Sequence, residues 1–548
     1  MPELASHGAW RGVPGAVWAI TACYLALLVG YSLLYPVYLG FDEPQHVDMT
    51  IALRHDPLSW PDPGERKLSA AVASTQGTVY SRGRPRLTQA YLASEIPPRH
   101  DRKTIQQLGD NAPVATPPAL PNQMVQHPPL YYAVGATVLD VLPFSESLAY
   151  DQVVSILRLI SVLMIAPLPL LVWATTRRLV GAGPIAVAAS ALPLAVPGLA
   201  RGAGNYQNDN LLILLVAVLT LLLARVLTGD VSRRTAVFVG IVTSLALLTK
   251  GTAIPLTPLV PSTYAVAWWR VRGRFPIAPA LTACAVGAVG GLWWVRNLVL
   301  YKTVQVNGYG AAASARLDVL QGATPGQHPF EIWWTRFKAW YESRFWSGLG
   351  LLDQNGLSVP LYRTLTVIVI VGVILALVYG FGRGRGDRPA IVVLALPVLL
   401  ITGVVVYGAL SEYLRTGVSG GIQGRYAYPA IPGLAALVAV GYGRAAGRFA
   451  RHLPIAAFLG ALAVQFVAVR GVLFGLWLPV PWTGGGRLAR YDAALHNLAA
   501  WSPWPVGVTY AAFVAAGVLI AVAVVAVVLP GQAAALRHRL RPAGEVAA

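Results

Sequence analysis

The chain has 548 residues, 55% of them hydrophobic and only 12% charged, with a mean hydropathy of +0.57. That balance excludes a soluble globular enzyme and describes an all-α, polytopic helical membrane protein. The formal net charge of +19 is no nucleic-acid footprint, because the arginines stand in short clusters between apolar segments, as cytoplasmic loops carry them.

The first apolar run, Val13 to Tyr35, is too long for a signal-peptide core and lacks a small-residue cleavage site, so it is expected to remain as a membrane anchor. Immediately after it come Phe41, Asp42, Glu43, Pro44, Gln45 and His46, which set adjacent acids and an imidazole where an apolar span meets water. Carboxylates are costly to desolvate there and tend to mark a catalytic, ion or substrate site. Residues 37–127 form a long loop rich in proline and charge. Further spans are expected at about 153–176, 183–201, 209–228, 234–250, 251–270, 276–298, 361–382, 389–411, 426–444, 454–476 and 506–530.

The basic clusters set the orientation: Arg177 and Arg178, Arg233 and Arg234, Arg270 with Arg272 and Arg274, Arg383 with Arg385 and Arg388, Arg444 with Arg448 and Arg451, and Arg537, Arg539 and Arg541. They fall after alternate spans only if Pro128 to Leu142 does not cross, which makes that stretch an interfacial or re-entrant helix on the outer face. About twelve crossings result, with both termini cytoplasmic. Cys23 and Cys284 both fall in apolar runs, which offers neither a disulfide framework nor a cysteine metal site.

The same parity places Asp42, Glu43, His127, Asn205, Asn208, Asp209, Lys250, Arg296, the loop 301–360 and Arg425 on one side, where they can converge. Each has a plainer reading. The acids solvate a helix end; His127 to Tyr132, HPPLYY, opens an interfacial helix; Asn208 and Asp209 cap a span. Lys250 snorkels beside a turn at Gly251, and Arg296 anchors a span after two tryptophans. Taken together, cations near an acidic pair suit an anionic substrate whose tail lies in lipid, and a polyprenyl phosphate fits that description. The segment Phe330 to Gly348, dense in aromatics and carrying Arg336, Lys338 and Arg344, has the pattern of an interfacial helix, either a roof over such a cleft or a simple anchor.

The order of FDEPQH, HPPLYY, Arg158-Leu159 opening a span, NDN, LLTKG, WWVRN, SRFW and QGRYAYPAIP resembles the GT-C superfamily of integral-membrane glycosyltransferases. Within it the chain is most similar to a bacterial branch of membrane proteins of unknown function, with lipid A aminoarabinose transferases and protein O-mannosyltransferases more distant. The likeness runs from about residue 14 to 445. It implies a catalytic transmembrane module over 1–445, with outer loops at about 37–127 and 300–360, and variable C-terminal helices over 446–548.

The resemblance further implies that Asp42 is the catalytic base or a metal-linked acid, with Glu43 its companion. His127, Lys250, Arg296 and Arg425 match basic positions near the carrier phosphate, without distinguishing which of them holds it. His46, Tyr131, Arg158, Asn208, Asp209, Arg344 and Tyr426 support the site. An Mg or Mn ion at Asp42 and Glu43 stays optional, since no complete ligand set is visible. The departure from the family is a long insertion, Arg82 to Gln123, which bears on the geometry of the first loop.

The expected reaction is a single displacement at the sugar's anomeric carbon, with Asp42 or else Glu43 taking the acceptor's proton and the configuration inverting. The phosphate leaving group needs cations more than an acid. The donor would be a polyprenyl-phosphate sugar and the acceptor an extracytoplasmic glycan, lipid or protein at the plasma membrane. The arginine, alanine and glycine bias suits a high-GC bacterium, for which decaprenyl-phosphate arabinose or mannose is a reasonable donor. A transporter or flippase for a lipid-linked sugar is the alternative, but the chain lacks the internal repeats such proteins often show. A scaffold leaves the sorted charges unexplained.

Overall fold

The computed structural model describes residues 12–539 except 82–86, 88–89, 115–119, 272–275, 325, 351–355 and 383–387. Among the described residues there are helices and turns but no strand, only two isolated bridges.

Helix α1 spans Gly15–Leu34, apolar all round, and stops where Tyr35 turns extended before Pro36. The end of the bundle at which α1 finishes is the site end. The first loop carries α2 (Glu43–His55), α3 (Ala70–Val79) and α4 (Leu130–Val141). At 12 residues α4 is too short to cross a bilayer, as parity requires, and it packs on α2.

Then come α5 (Tyr150–Ile165) and α6 (Leu168–Val180), which pass together as one span. Next are α7 (Pro184–Ala191) and α8 (Pro197–Ala203), bent by 71° at a break, and α9 (Asp209–Leu227). They are followed by α10 (Arg233–Leu247), α11 (Leu259–Val271), α12 (Ile277–Tyr301), α13 (Gly310–Leu320) and α14 (Phe330–Trp346). The chain closes with α15 (Val359–Gly382), α16 (Arg388–Thr416), α17 (Ile431–Ala446), α18 (Leu453–Trp477), α19 (Arg487–Trp501) and α20 (Val506–Arg539).

All twelve expected apolar segments are helical, but among the described residues eight stretches, or nine counting the bent α7–α8 pair, are long and apolar enough to cross a membrane. One of them, Gly424–Trp477, contains both α17 and α18. Helices α10 and α11 fall short at 15 and 13 residues. Lys250 is extended, and the following 3-10 turn Gly251–Leu256 holds Pro255, which cannot continue a helix.

By alternation, Arg177, Arg178, Arg233, Arg234, Arg388, Arg444, Arg448 and Arg451 lie at the end opposite the site. Arg272, Arg274, Arg383, Arg385 and Arg541 of the same clusters lie outside the described residues.

The last helices are integral to the bundle, because α20 packs along α1, and α18 along α7. They also grip the first loop. Arg102 reaches the buried Asp151 and donates to the carbonyls of Ala500 (2.6 Å) and Ser502 (3.0 Å), which close the end of α19. The Ala93 N–H donates to Asn497 Oδ1 at 2.9 Å, and Trp501 Nε1 donates to the Leu92 carbonyl at 2.9 Å. Residues 92–102 of the 82–123 insertion thus dock on the C-terminal helices; 82–86, 88–89 and 115–119 lie outside the described residues.

Candidate functional site

The junction from α1 to α2 builds the site. Asp42 precedes α2 in a left-handed conformation (φ 54°, ψ 18°), uncommon for a residue with a side chain. Gly40 makes room for it, since a Cβ there would lie 2.9 Å from Asn205 Cγ and from Glu43 Cβ.

The two adjacent acids have opposite environments. Glu43 is fully buried, and its oxygens accept from Arg158 Nε and Nη2, both at 2.7 Å, and from the N–H groups of Tyr38 (2.9 Å), Tyr206 (3.0 Å) and Gly40 (3.4 Å). Arg158 spends its remaining donors on the carbonyls of Ser32, Tyr35 and Pro36, each at 2.8 Å. Every N–H of that guanidinium is used, so the pair staples α5 to the end of α1 and the start of α2. Glu43, expected as the alternative base, thus has both oxygens engaged by Arg158 and backbone N–H groups, and Arg158, expected in support, is its partner.

Asp42 keeps 34% of its side chain exposed. Its Oδ2 accepts from Arg425 Nη2 and its Oδ1 from Gln123 Nε2, both at 3.1 Å. Arg425 stands in the 3-10 turn Gly424–Ala430. That turn lies against α14, where a Cβ on Gly424 would meet the Tyr341 carbonyl oxygen. Arg425 Nε and Nη1 are buried and have no hydrogen-bond partner among the described residues. Its guanidinium lies 4.3 Å from the Phe41 ring, and Arg201 lies 3.9 Å from the same ring.

Arg201, at the end of the bent α7–α8 pair, donates to the carbonyls of Gly348, Gly350 and Leu39, and no described carboxylate pairs with it. Sequence reasoning missed it, although a charge inside an apolar span was a visible signal. Gln123 and Tyr309 were missed as well. The Tyr309 phenol is pushed up to about 12 by burial and by the Asp42 carboxylate beside it.

Behind Asp42 and Arg425, Lys250 Nζ donates to Asp209 at 2.7 Å and sits 5.0 Å from the Tyr426 ring. Asn208 holds the N-cap position of α9, yet its side chain makes no capping bond. The side-chain amide atoms of Asn208 and Asn205 are buried without partners among the described residues. His46 Nδ1 and the Tyr132 hydroxyl are 3.0 Å apart, and Tyr131 meets Ser161 at 2.7 Å.

Arg296 is set apart, its guanidinium near the Trp293 and Tyr301 rings at 5.0 and 5.6 Å. A chain of ring contacts through Tyr132, Trp60 and Trp293 separates it from His46. Arg344 bonds the Ile422 carbonyl and stacks on Trp340, bracing the approach to the Arg425 turn.

His127 was expected near the phosphate as a basic group. Burial first, then Lys250, lowers its pKa to about 3 against an opposing pull from Asp209, so it is neutral near pH 7 and its orphan Nδ1 offers a single donor or acceptor. His46 is likewise held well below its ordinary value by burial, then by His127, Lys250 and Arg425. Between about pH 6.5 and 3 the unfolded chain therefore binds a proton at His127 that the folded chain refuses. Stability is complete above that window and falls as pH drops through it, by up to about 1.4 kcal/mol per pH unit for each such histidine. His127→Asn is expected to flatten the fall of the thermal midpoint between neutral and acid pH; an unchanged slope would show that the imidazole is not held neutral.

Among the described residues no group of three His, Cys, Asp or Glu side chains converges as a metal site. Both Glu43 oxygens are occupied by Arg158 and backbone N–H groups, so these residues do not fit an ion shared by Asp42 and Glu43.

Residues 25–434 match the model of a family described as "Predicted membrane protein (DUF2142)". No curated protein matches the chain. Among solved structures it is similar to ArnT from Cupriavidus metallidurans bound to undecaprenyl phosphate, at 16% identity and a TM-score of 0.43, over 96% of this chain and 81% of that one. It is also similar to the Archaeoglobus fulgidus oligosaccharyltransferase in complex with Zn and sulfate, at 14% identity and a TM-score of 0.42, over 86% of this chain and 54% of that one.

Proposed function

The chain belongs to the DUF2142 family of membrane proteins, and we propose that it is an inverting glycosyltransferase that moves a sugar from a polyprenyl-phosphate carrier to an acceptor hydroxyl outside the cytoplasm. One observation carries the reading: the accessible carboxylate of Asp42 is held by an arginine whose other two nitrogens are buried and unpartnered. A buried cation with donors to spare is a ready anion site, and it lies one hydrogen bond from a candidate base.

In this mechanism Asp42 accepts the proton of the acceptor hydroxyl as its oxygen attacks the anomeric carbon. The bond to the carrier phosphate breaks on the opposite face, and the departing phosphate takes the electron pair. Arg425 Nε and Nη1 hold the charge that develops there, with Arg201 adding positive potential across Phe41. Gln123 fixes the carboxylate, and the open amides of Asn205 and Asn208 provide donors and acceptors for sugar hydroxyls. Lys250 is committed to Asp209, so it shapes the wall next to Tyr426 more than it binds the carrier. The positive-inside distribution of the arginines supports a site end outside the plasma membrane, with both termini in the cytoplasm.

The test is transfer by the full chain in nanodiscs, supplied with a panel of polyprenyl-phosphate sugars and with undecaprenyl phosphate as the carrier probe. Arg425→Lys keeps the charge but loses the planar fork, so carrier affinity is expected to fall by roughly tenfold or more. Carrier that binds and crosses the bilayer with no donor turned over would replace the transferase by a flippase.

A further inference from the structure

A second cationic site lies away from Asp42, on the face where α18 meets α19. We infer that Arg470 and Arg490 together hold the phosphate of an anionic phospholipid at the membrane boundary on the site end.

Arg470 is exposed on α18, following Phe466 and Val467 by one helical turn, and both of those are exposed too. That face is what a membrane span turns toward lipid. Arg470 lies seven residues before Trp477, roughly 10 Å along the axis at the helical rise. A guanidinium there is costly unless it reaches a headgroup.

Arg490 comes to the same place from α19. Both cations sit against one ring, Phe474, Arg470 at 5.4 Å and Arg490 at 5.0 Å from its centroid, and Phe474 packs on Tyr491 at 4.8 Å. Neither arginine's side chain forms a hydrogen bond or ion pair with a described residue, and Arg490 Nε is buried without a partner among them. Helix α18 carries no acid, and the only acid on α19 is Asp492. Two positions from Arg490, it points about 200° away around the helix.

Two like charges sharing one ring with no counter-ion call for an anion. A lipid phosphate supplies it from the side where Arg470 faces the acyl chains, with the tails along Phe466 and Val467. A soluble phosphate would have to enter the hydrocarbon boundary to reach Arg470, which favours the lipid.

The inference does not depend on glycosyl transfer and is read by lipid retention. Full-length protein, delipidated in detergent, is titrated with phosphatidylglycerol or with phosphatidylcholine of the same chains and weighed by native mass spectrometry, with inorganic phosphate as competitor. Phosphatidylglycerol is expected to bind preferentially, to resist inorganic phosphate, and to weaken by roughly tenfold or more in R470Q/R490Q. R470K/R490K, which keeps the charges, is expected to lose less. Equal binding of the two lipids, undiminished binding by R470Q/R490Q, or ready displacement by inorganic phosphate would each overturn it. If the double variant does not fold, R490Q alone, at the helix surface, carries the same comparison.

Discussion

Asp42→Asn is expected to cut sugar transfer by about 10²–10⁴-fold while leaving the fold and carrier binding in place. The amide still fits beside Gln123 and Arg425, but it cannot accept the acceptor's proton. Because the substitution also removes a negative charge next to Arg425, the carrier phosphate should bind at least as tightly as before. Initial rates at saturating donor, set against undecaprenyl phosphate affinity, separate the two effects. Unchanged rates in Asp42→Asn would remove the carboxylate from the chemistry. A parallel loss of rate and carrier binding would make it a structural partner of Arg425.

The neighbouring acid should behave differently. Arg158→Ala leaves Glu43 charged, buried and short of its two best partners. Breaking a buried pair from one side costs about 3–5 kcal/mol. The expected result is a large drop in thermal midpoint or loss of folded protein in the membrane. Arg158→Lys should fail nearly as badly, because an ammonium cannot serve the two Glu43 oxygens and three backbone carbonyls that the planar guanidinium reaches together. Glu43→Gln is expected to lower stability before it lowers the rate per folded molecule. A stable, normally packed Arg158→Ala would show that the staple contributes little.

Much of the architecture is legible in the chain because hydropathy is local. Each apolar run forms its own helix, since a backbone in lipid must satisfy its hydrogen bonds within the segment. The parity of the arginine clusters kept Pro128–Leu142 from being read as a crossing, and α4, at 12 residues, is indeed too short to cross. Where expected spans form shorter helices, the cause is also local: Lys250, Gly251 and Pro255 leave α10 and α11 short.

The sequence by itself therefore determined that this is a polytopic helical membrane protein with an acidic pair at the end of its first span. Asp42 and Glu43, adjacent and chemically alike, stood there as first and second choice of base. Only the tertiary structure gives them different surroundings. Glu43 meets an arginine 115 residues away that consumes both its oxygens, whereas Asp42 meets one 383 residues away that leaves it accessible. Arg296 and Arg425 looked equivalent for the same reason, and Arg201 went unnoticed inside its span. A charge in a membrane protein takes its role from the partner that neutralises it, and that partner is chosen by how the helices pack, not by the residues beside it in the chain.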